Sequence, residues 1–207
     1  MAKSPDFTKD IQFLFEMGSI RFIPRMWQRF LNGDFANLAE HHFRMFWIAM
    51  TIAAHEGNAD TGKIAKMVMV HDISESRAGD VDYLARQYVD RNEQLGLKDM
   101  IDGTALQKEF QELWDEYEAR ETMEAKIAKD ADNLDVDFEL AEQASRGFPL
   151  QEHWKDNRRY VAREKMYTKT AKAIFDALEG ANPHDWHLLG RNRRAAGDWQ
   201  DQPAATK

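Results

Sequence analysis

The chain has 207 residues and no cysteine, and its 28 basic and 36 acidic side chains give a net charge of −8. This length fits one domain with a core large enough to fold without disulfides. The absence of cysteine excludes thiol catalysis and zinc–cysteine sites, and the acidity argues against a broad surface for nucleic acid. With no apolar leader in "MAKSPDFTKD" and no apolar segment as long as a membrane span, we expect a cytoplasmic protein that binds no membrane.

Apolar residues in the first third of the chain recur at helical spacing, and strand alternation is absent. The pattern predicts helices over about residues 7–19, 35–56 and 61–71. Ile11 and Phe15 are expected on the buried side of the first helix. The segment between the first two helices is predicted to be a loop, because Pro24 disfavours helical geometry at the residue before it.

The rest of the chain predicts further helices and again no strand. A short helix and a loop are expected in the charged segment 86–102, and long helices over about residues 104–120, 122–146 and 157–179, with a short one near Pro183. The polar residues from Gly190 onward predict a frayed tail. We therefore predict a single all-α domain over residues 1–190, followed by a flexible polar tail over residues 191–207.

Three ionisable residues occupy or border the predicted apolar helix faces. His41 and His71 lie on the apolar stripes of two helices, and Asp132 borders the stripe of a third. A single histidine on such a stripe is usually a satisfied core residue, and Asp132 has an alternative role in a surface salt bridge with Lys129. Two histidines with carboxylates next to them shift the balance, because a carboxylate beside a core needs a cation or hydrogen-bond donors.

Two histidines and two aspartates from three predicted helices can together hold one divalent cation: His41, His71, Asp72 and Asp132. Mixed nitrogen and oxygen ligands suit manganese, cobalt, iron, nickel, zinc or magnesium, and they do not choose among these metals. Four protein ligands on a six-coordinate metal leave room for water and for a substrate oxygen. The sequence therefore predicts one divalent metal ion as cofactor.

Two further acidic residues follow the His71–Asp72 pair. Glu75 lies one helical turn beyond the pair, and Asp80 follows Gly79 in a predicted turn. Both are candidates for handling the proton of an attacking water molecule. The alternative interpretation is a solvated acidic loop, which is how most such charges behave.

Helix geometry separates His41 from its neighbour His42. One residue along a helix rotates the side chain by about 100°, so the two histidines cannot be equivalent ligands of the same ion. Because His41 shares the apolar stripe and His42 falls on the adjacent line, we predict that only His41 binds the metal.

Three segments that carry these residues resemble the sequence blocks of the HD-domain metal-dependent phosphohydrolases: "AEHHFRM", "HDISESRAGD" and "AKDADNLD". The likeness continues upstream in "PRMW" and downstream in "REKMYTKTAKAIFDAL", which are similar to elements of the 5'-deoxynucleotidase branch. It covers roughly residues 10–187 in the same order. The second pair, His184–Asp185, has no matching block, and we assign it no metal role. The resemblance implies a single HD-domain helical fold, similar to a bundle.

The resemblance also implies roles for individual residues. It implies the same four metal ligands, an acid/base or water-orienting role for Glu75, and a substrate-facing role for Asp80. Arg25 and Trp27 would lie near the phosphate and the sugar of a substrate. Arg77 stands where an apolar residue is expected, and we predict an additional phosphate contact for it.

The implied activity is the metal-dependent hydrolysis of a deoxynucleoside 5'-monophosphate to nucleoside and phosphate. Three alternatives remain open at this point: the same site with a nucleoside triphosphate or another phosphomonoester as substrate, a non-catalytic module in which the metal ties three helices together, and a helical scaffold or adaptor without metal. A homodimer is the expected assembly. Trp114 and Trp154 are expected to be exposed and to mark a contact surface.

Overall fold

The computed structural model describes residues 6–31 and 35–189, and these residues form helices and no strand. No helix among them combines the length and the apolar character that a membrane crossing requires. The predicted all-α fold is confirmed. Two 3₁₀ turns lie at Ile20–Phe22 and Ala85–Gln87. The α-helices are α1 Thr8–Ser19, α2 Gln28–Leu31, α3 Leu38–Glu56, α4 Thr61–Val70, α5 Glu75–Ala78, α6 Glu93–Ile101, α7 Gln107–Ala119, α8 Met123–Ser145, α9 Leu150–His153, α10 Lys155–Glu164, α11 Lys169–Leu178 and α12 Asp185–Leu188.

Helices α3 and α8 are the centre of the fold, and α4 packs against both. The start of α3 is fixed locally, because the Asn37 side chain accepts from the Glu40 N–H while the Glu40 side chain accepts from the Asn37 N–H. Its end is fixed by Gly57, which adopts a positive φ of 79°. Leu38, Met45 and Ile52 of α3 are fully buried against this core. The two longest helices therefore hold the polar residues that lie between them in defined positions.

The buried face of α1 differs from the predicted one. Phe13 is 5% exposed and packs edge-on against Phe110, with ring centroids 6.1 Å apart. Ile11 and Phe15, which were expected to be buried, are 51% and 79% exposed. The helix has apolar residues on more than one side, and the described part of the chain covers only the side of Phe13.

The helix predicted over residues 157–179 is two helices, α10 and α11. The chain leaves α10 after Glu164, and Thr168 caps the start of α11 by accepting from the Ala171 N–H. Asp130 of α8 accepts from the backbone N–H groups of Tyr167 and Thr168 at 2.8 and 2.7 Å. The break is therefore held by a residue almost forty positions away. The predicted flexible tail over residues 191–207 lies outside the described residues.

The two tryptophans expected at an exposed contact surface are not exposed. Trp114 of α7 is 8% exposed and belongs to the hydrophobic core. Trp154 is half-buried, and its ring centroid lies 4.9 Å from that of Trp27. Both expectations were wrong, because each indole packs against other side chains of the same chain.

Candidate metal centre

Four side chains from three regions of the chain meet at one point in the helical core. His41 lies near the start of α3, His71 and Asp72 follow the end of α4, and Asp132 lies in the middle of α8. One nitrogen or oxygen atom of each side chain lies within 4.8 Å of the corresponding atoms of the other three. The structure therefore brings together the four residues that were predicted as metal ligands.

The distances within this cluster fit one metal ion. His41 Nε2 lies 3.4 Å from His71 Nε2, 3.4 Å from Asp132 Oδ1 and 3.8 Å from Asp72 Oδ2. His71 Nε2 lies 3.1 Å from Asp72 Oδ2. Ligand atoms about 2.0–2.3 Å from a common ion, at angles of about 90–110°, are about 3–4 Å apart. The four separations given above already fall in that range, and all six pairs lie within 4.8 Å.

Hydrogen bonds on the far side of both imidazoles determine which nitrogen faces the cluster. His71 Nδ1 lies 2.8 Å from the Val68 carbonyl oxygen, and His41 Nδ1 lies 2.7 Å from Asp135 Oδ2. Both partners are acceptors only, so each Nδ1 carries the proton and donates it. When both rings are neutral, as metal ligation requires, each Nε2 presents a lone pair. Four acceptor atoms thus converge with no donor among them, an arrangement that calls for a shared cation.

The charges around His41 also favour a cation. Burial and the nearby Arg25 guanidinium act to lower the pKa of His41, but Asp132 and Asp135 outweigh them and raise it to about 9. Without a metal, the surroundings therefore favour a second proton on this ring at Nε2, and a bound cation would take the place of that proton. Lys129 donates to Asp132 Oδ2 at 2.7 Å and leaves Oδ1 facing His41. The expected salt bridge of Asp132 and its position as a ligand are compatible.

Arg25 reaches the cluster from the loop before α2. Its backbone N–H donates to the Ala36 carbonyl oxygen at 3.0 Å, so the loop lies across the chain just before α3. The buried guanidinium has its Nη1 3.4 Å from Asp80 Oδ2 and 3.5 Å from Asp72 Oδ2. Burial acts to lower the pKa of Arg25, but these carboxylates raise it above its ordinary value. A permanent positive charge therefore lies beside the four-residue cluster.

Glu75 begins α5 and is buried next to Asp72. Its Oε1 accepts from Arg91 Nη1 at 2.9 Å, whereas its Oε2 has no hydrogen-bond partner and lies 3.8 Å from Arg25 Nη1. Burial, together with the Asp72 and Asp80 carboxylates, raises the pKa of Glu75 to about 9, although Arg25 and Arg91 act to lower it. A carboxyl group with one anchored oxygen, one free oxygen and a raised pKa is suited to proton transfer.

Asp80 is directed towards Arg25 by the glycine that precedes it. Gly79 ends α5 with φ 76° and ψ 148°, a backbone conformation that side chains with a Cβ rarely adopt. Asp80 Oδ2 then accepts from the Met26 N–H at 3.1 Å, one residue after Arg25. The Gly79–Asp80 turn therefore holds the arginine loop in place over the cluster.

A cavity of about 460 Å³ opens next to the cluster. Six basic and five acidic side chains contribute to its wall, so the wall is slightly positive in a chain of net charge −8. A divalent cation would add to that positive charge, which suits an anionic ligand. The basic residues are Arg25, Arg86, Arg91, Arg120, Lys129 and Arg158, and the acidic ones are Asp72, Asp80, Glu93, Glu118 and Asp132.

An aromatic group forms one side of the same cavity. Trp27 and Tyr83 line it, and their rings stack with centroids 5.9 Å apart. Trp154 packs edge-on against both of these rings. Phe30 packs with its ring tilted against Tyr83 and edge-on against Trp154. The structure therefore places Trp27 where an aromatic surface and the positively charged wall meet.

Arg77 does not reach this cavity, contrary to its predicted role as a phosphate contact. Its Nε and Nη2 atoms donate to the two carboxylate oxygens of Glu16 in α1, both at 2.8 Å. The guanidinium is not part of the cavity wall. A bidentate ion pair already uses the face of the arginine that a phosphate would need, so the structure corrects this expectation.

Neither His42 nor the His184–Asp185 pair belongs to the four-residue cluster. His42 is buried, and both of its ring nitrogens lack a hydrogen-bond partner, with no place in the cluster. His184 and Asp185 lie at the exposed start of α12, where His184 Nδ1 is 3.2 Å from His187 Nε2. Within residues 6–31 and 35–189, the four-residue cluster is the only group with metal-binding geometry.

Sequence reasoning missed several residues that support the site. Arg91 anchors Glu75 and also donates to the Gly79 carbonyl oxygen at 2.8 Å. The Tyr117 ring packs edge-on against the His71 ring, with centroids 5.3 Å apart. Only Asp135 gave a signal in the sequence, because it lies one helical turn after Asp132 and therefore near the same face of α8.

The fold and this site define an HD-domain protein. A family model described as "HD domain" matches residues 17–178, and the chain belongs to that family. It is similar to proteins named 5'-deoxynucleotidase HDDC2. The Homo sapiens protein is 29% identical over 138 residues, which cover 64% of this chain and 67% of the relative. The Danio rerio protein is 31% identical over 133 residues, which cover 61% of this chain and 65% of the relative.

A bacterial relative carries a related name. The protein named 5'-deoxynucleotidase plu3092 from Photorhabdus laumondii is 28% identical over 150 residues, which cover 65% of this chain and 75% of the relative. The chain thus spans about two thirds of the length of the animal relatives and three quarters of the bacterial one. The matches concern a large part of each protein, but not the whole of any.

Solved structures share the fold at lower sequence identity. A conserved hypothetical protein from Pyrococcus furiosus superposes with a TM-score of 0.66 at 23% identity, covering 82% of this chain and 98% of that one. A predicted metal-dependent phosphohydrolase from Magnetospirillum magnetotacticum superposes with a TM-score of 0.60, also at 23% identity, covering 84% of this chain and 90% of that one. These two likenesses show the fold alone.

Proposed function

We propose that this protein is a metal-dependent phosphohydrolase that converts deoxynucleoside 5'-monophosphates to nucleoside and phosphate. The observation that carries the proposal is the convergence of four acceptor atoms, with no donor among them, beside a cavity lined by an arginine and an aromatic group. The similarity to proteins named 5'-deoxynucleotidase supports the choice of substrate class.

The proposed metal ligands are the four side chains of the cluster: His41, His71, Asp72 and Asp132. When bound there, a divalent cation would polarise a phosphoryl oxygen and lower the pKa of the attacking water. Manganese, cobalt, magnesium, iron, nickel and zinc all accept this mixed donor set. The experiment below therefore determines which of these metals supports phosphate release.

Arg25 and Glu75 would act on the phosphate and on the water. Arg25 can hold two phosphoryl oxygens through parallel N–H groups, and its charge offsets the negative charge that develops as the water oxygen attacks phosphorus. The new bond forms as the bond from phosphorus to the sugar 5'-oxygen breaks. Without a metal the pKa of Glu75 is raised; the positive charge of a bound cation would lower it again, and the free Oε2 would then accept a proton from the attacking water. The departing sugar oxygen would take up a proton from solvent and become the nucleoside hydroxyl.

The two sides of the cavity fit the two halves of a nucleotide. The phosphate would lie at the end formed by Arg25 and the cluster, and the base would pack against Trp27, whose ring is stacked with Tyr83. Asp80, buried beside Arg25, would face the sugar. A carboxylate in that position would accept a hydrogen bond from a sugar hydroxyl and influence which hydroxyl pattern is accepted.

A phosphate-release screen tests the proposal. The purified protein is first treated with a chelator, each divalent metal is then supplied separately, and dAMP, AMP, dATP and a simple phosphomonoester without a sugar are compared. We expect metal-dependent release that is fastest with dAMP. Asp80→Asn should change the ratio of dAMP to AMP rates more than it changes metal content. Release that is independent of metal, or no release from any monophosphate, would refute the proposal.

Assembly, domain extent and location belong to the same proposal. We place the hydrolase domain within residues 1–190 and expect a homodimer in the cytoplasm. Exposed apolar side chains on α1, in the turn after it and on α3 support self-association: Ile11, Leu14, Phe15, Phe22, Phe43 and Trp47. Sedimentation equilibrium of the parent and of Phe15→Glu would test the dimer. A parent that is monomeric at micromolar concentration would contradict it.

A further inference from the structure

Asp135 holds the face of His41 that is turned away from the metal cluster. Its side chain is buried, it lies one helical turn after Asp132 on α8, and its Oδ2 is 2.7 Å from His41 Nδ1. A carboxylate can only accept in this bond, so the proton is on Nδ1 and the lone pair of Nε2 is directed to the cluster. One helix therefore supplies both a predicted ligand and the group that orients another ligand.

Arg44 holds Asp135 in turn. It lies three residues after His41 on α3, and its Nε donates to Asp135 Oδ1 at 2.8 Å. Its two other guanidinium nitrogens bond to Glu142, at 2.7 Å, and to Glu139. Both oxygens of Asp135 are thereby engaged, one by the arginine and one by the imidazole. The carboxylate cannot rotate without breaking a charge-assisted hydrogen bond.

We propose that Asp135, held by Arg44, is a positioning residue that keeps His41 in its Nδ1-protonated tautomer and thereby sets the affinity of the cluster for its cation. The inference rests on the proposed metal site. It adds to that site a pair of residues that contact neither metal nor substrate. An anionic acceptor behind a histidine ligand fixes the ring and raises the basicity of the ligating nitrogen.

The second histidine shows why Asp135 is the informative position. His71 donates to the Val68 backbone carbonyl, which no substitution at a side chain removes. His41 instead donates to the side chain of Asp135, so Asp135→Asn changes its hydrogen-bond partner by replacing a single oxygen atom. The competing explanation is that Asp135 and Arg44 form an ordinary buried ion pair between α3 and α8, which would affect the stability of the fold and leave the cluster unchanged.

Asp135→Asn separates the two explanations because Arg44 only donates. The arginine would take the amide oxygen of the new asparagine, so the amide NH₂ would face His41 Nδ1. That contact favours the tautomer with the proton on Nε2, which blocks the nitrogen that faces the cluster. A purely structural pair would have no effect on the tautomer.

The matched control is Asp130→Asn, the same change at another buried aspartate of α8. Asp130 accepts from the backbone N–H groups of Tyr167 and Thr168 and from the Thr168 hydroxyl, and it contacts no histidine by hydrogen bond. It therefore reports the cost of neutralising a buried carboxylate of this helix without touching the cluster.

The experiment measures the Kd for Mn²⁺ by calorimetry on chelator-treated full-length protein. The histidine tautomers are measured by ¹⁵N NMR on the same protein without metal, at a pH above the raised pKa of His41, where the ring is neutral. We expect Asp135→Asn to weaken Mn²⁺ binding by about ten- to a hundredfold and to shift the His41 proton to Nε2. Asp130→Asn should keep the parental Kd. Arg44→Lys, which keeps the charge and loses the Nε donor, should weaken binding to a smaller extent and serves if Asp135→Asn does not fold.

The outcomes distinguish the inference from the site on which it rests. A parent that binds Mn²⁺ while Asp135→Asn, or in its place Arg44→Lys, binds equally well would overturn the positioning role and leave the metal site intact. A parent that binds none of Mn²⁺, Co²⁺, Mg²⁺, Fe²⁺, Ni²⁺ and Zn²⁺ would overturn the metal site and the positioning role together. An unchanged His41 tautomer in Asp135→Asn would likewise count against the role.

Discussion

Helix α8 carries two kinds of carboxylate on its inner side, and the difference between them separates a structural role from a chemical one. Asp130 accepts three hydrogen bonds from Tyr167 and Thr168, and Asp137 forms a bidentate ion pair with Arg158 at 2.7 and 2.8 Å. Each of these two aspartates has donors for both of its oxygens. They connect α8 to α10 and to the start of α11, and their environment needs no further ligand.

Asp132 lies between those two residues and is only half satisfied. Its Oδ2 accepts from Lys129, but its Oδ1 faces the lone pair of His41 Nε2 at 3.4 Å. When that ring is neutral, a partly buried acceptor faces another acceptor, which is costly unless a cation lies between them. The comparison shows that burial of a carboxylate alone does not indicate function. The indication is an acceptor without a donor.

The largest effect is expected when the incompletely satisfied carboxylate is neutralised. Asp132→Asn should reduce bound metal to background and phosphate release by at least about a thousandfold, which is about 4 kcal/mol of transition-state stabilisation. The fold should persist, because the change also removes one negative charge from a crowded cluster. Metal analysis by mass spectrometry and the phosphate-release assay measure the effect.

Asp130→Asn is the control for that variant. It should retain metal and lose about 1–3 kcal/mol of unfolding free energy, because the amide cannot accept from all three donors. If Asp132→Asn retained stoichiometric metal, Asp132 would not be a metal ligand, and it would not differ from Asp130 in the proposed way.

Breaking the ion pair between Asp137 and Arg158 should have the opposite effect: it should lower stability and leave metal binding unchanged. Asp137→Ala leaves the buried Arg158 guanidinium without its carboxylate and should lower the free energy of unfolding by about 3–5 kcal/mol. Metal content per folded molecule should be unchanged. Urea denaturation followed by circular dichroism, together with metal analysis of the folded fraction, would measure both quantities. Loss of metal without loss of stability would reverse the roles assigned here.

Glu75 has one satisfied and one unsatisfied oxygen. Its Oε1 accepts from Arg91, and its Oε2 has no hydrogen-bond partner. Glu75→Gln should retain the metal and lower kcat by about a hundredfold or more, since the amide cannot accept the proton of the attacking water. The KM for dAMP should change little. Steady-state kinetics at saturating metal measure this effect, and parental kcat would show that Glu75 does not transfer a proton.

The smallest expected effect on the metal site comes from the histidine next to a ligand. His42 is buried with both nitrogens unpartnered, and burial, with His71 and His41 nearby, holds its pKa well below the ordinary value. His42→Ala should keep the metal and lower the unfolding free energy by about 2 kcal/mol through the space it leaves.

The matched variant is His41→Ala, one residue earlier on α3. It should abolish metal binding, and metal content of the two purified proteins decides between them. Normal metal in His41→Ala and none in His42→Ala would mean that the two histidines have been assigned in the wrong order.

The helices were largely predictable because their signals are local. The N-caps of three helices lie at Asn37, Asp60 and Thr122, within two residues of the predicted starts, and each accepts a hydrogen bond from a residue three positions on. Apolar periodicity over three or more turns then determines that each segment is helical. The four clustered residues were also visible in advance, because polar groups on or beside apolar stripes stand out. Their role as metal ligands stays a prediction.

Contacts between distant segments decided the rest. The break between α10 and α11 depends on Asp130, and the failure of Arg77 to reach the cavity depends on Glu16. The buried face of α1 depends on where Phe110 lies. The sequence by itself determined the class of fold and the set of acceptors, because helix formation and apolar periodicity act within a few turns. Only the tertiary structure decided which of the other acceptors receive donors, because the donors to Asp130, Asp135 and Asp137 come from residues 21 or more positions away that only the packed helices bring within hydrogen-bonding distance.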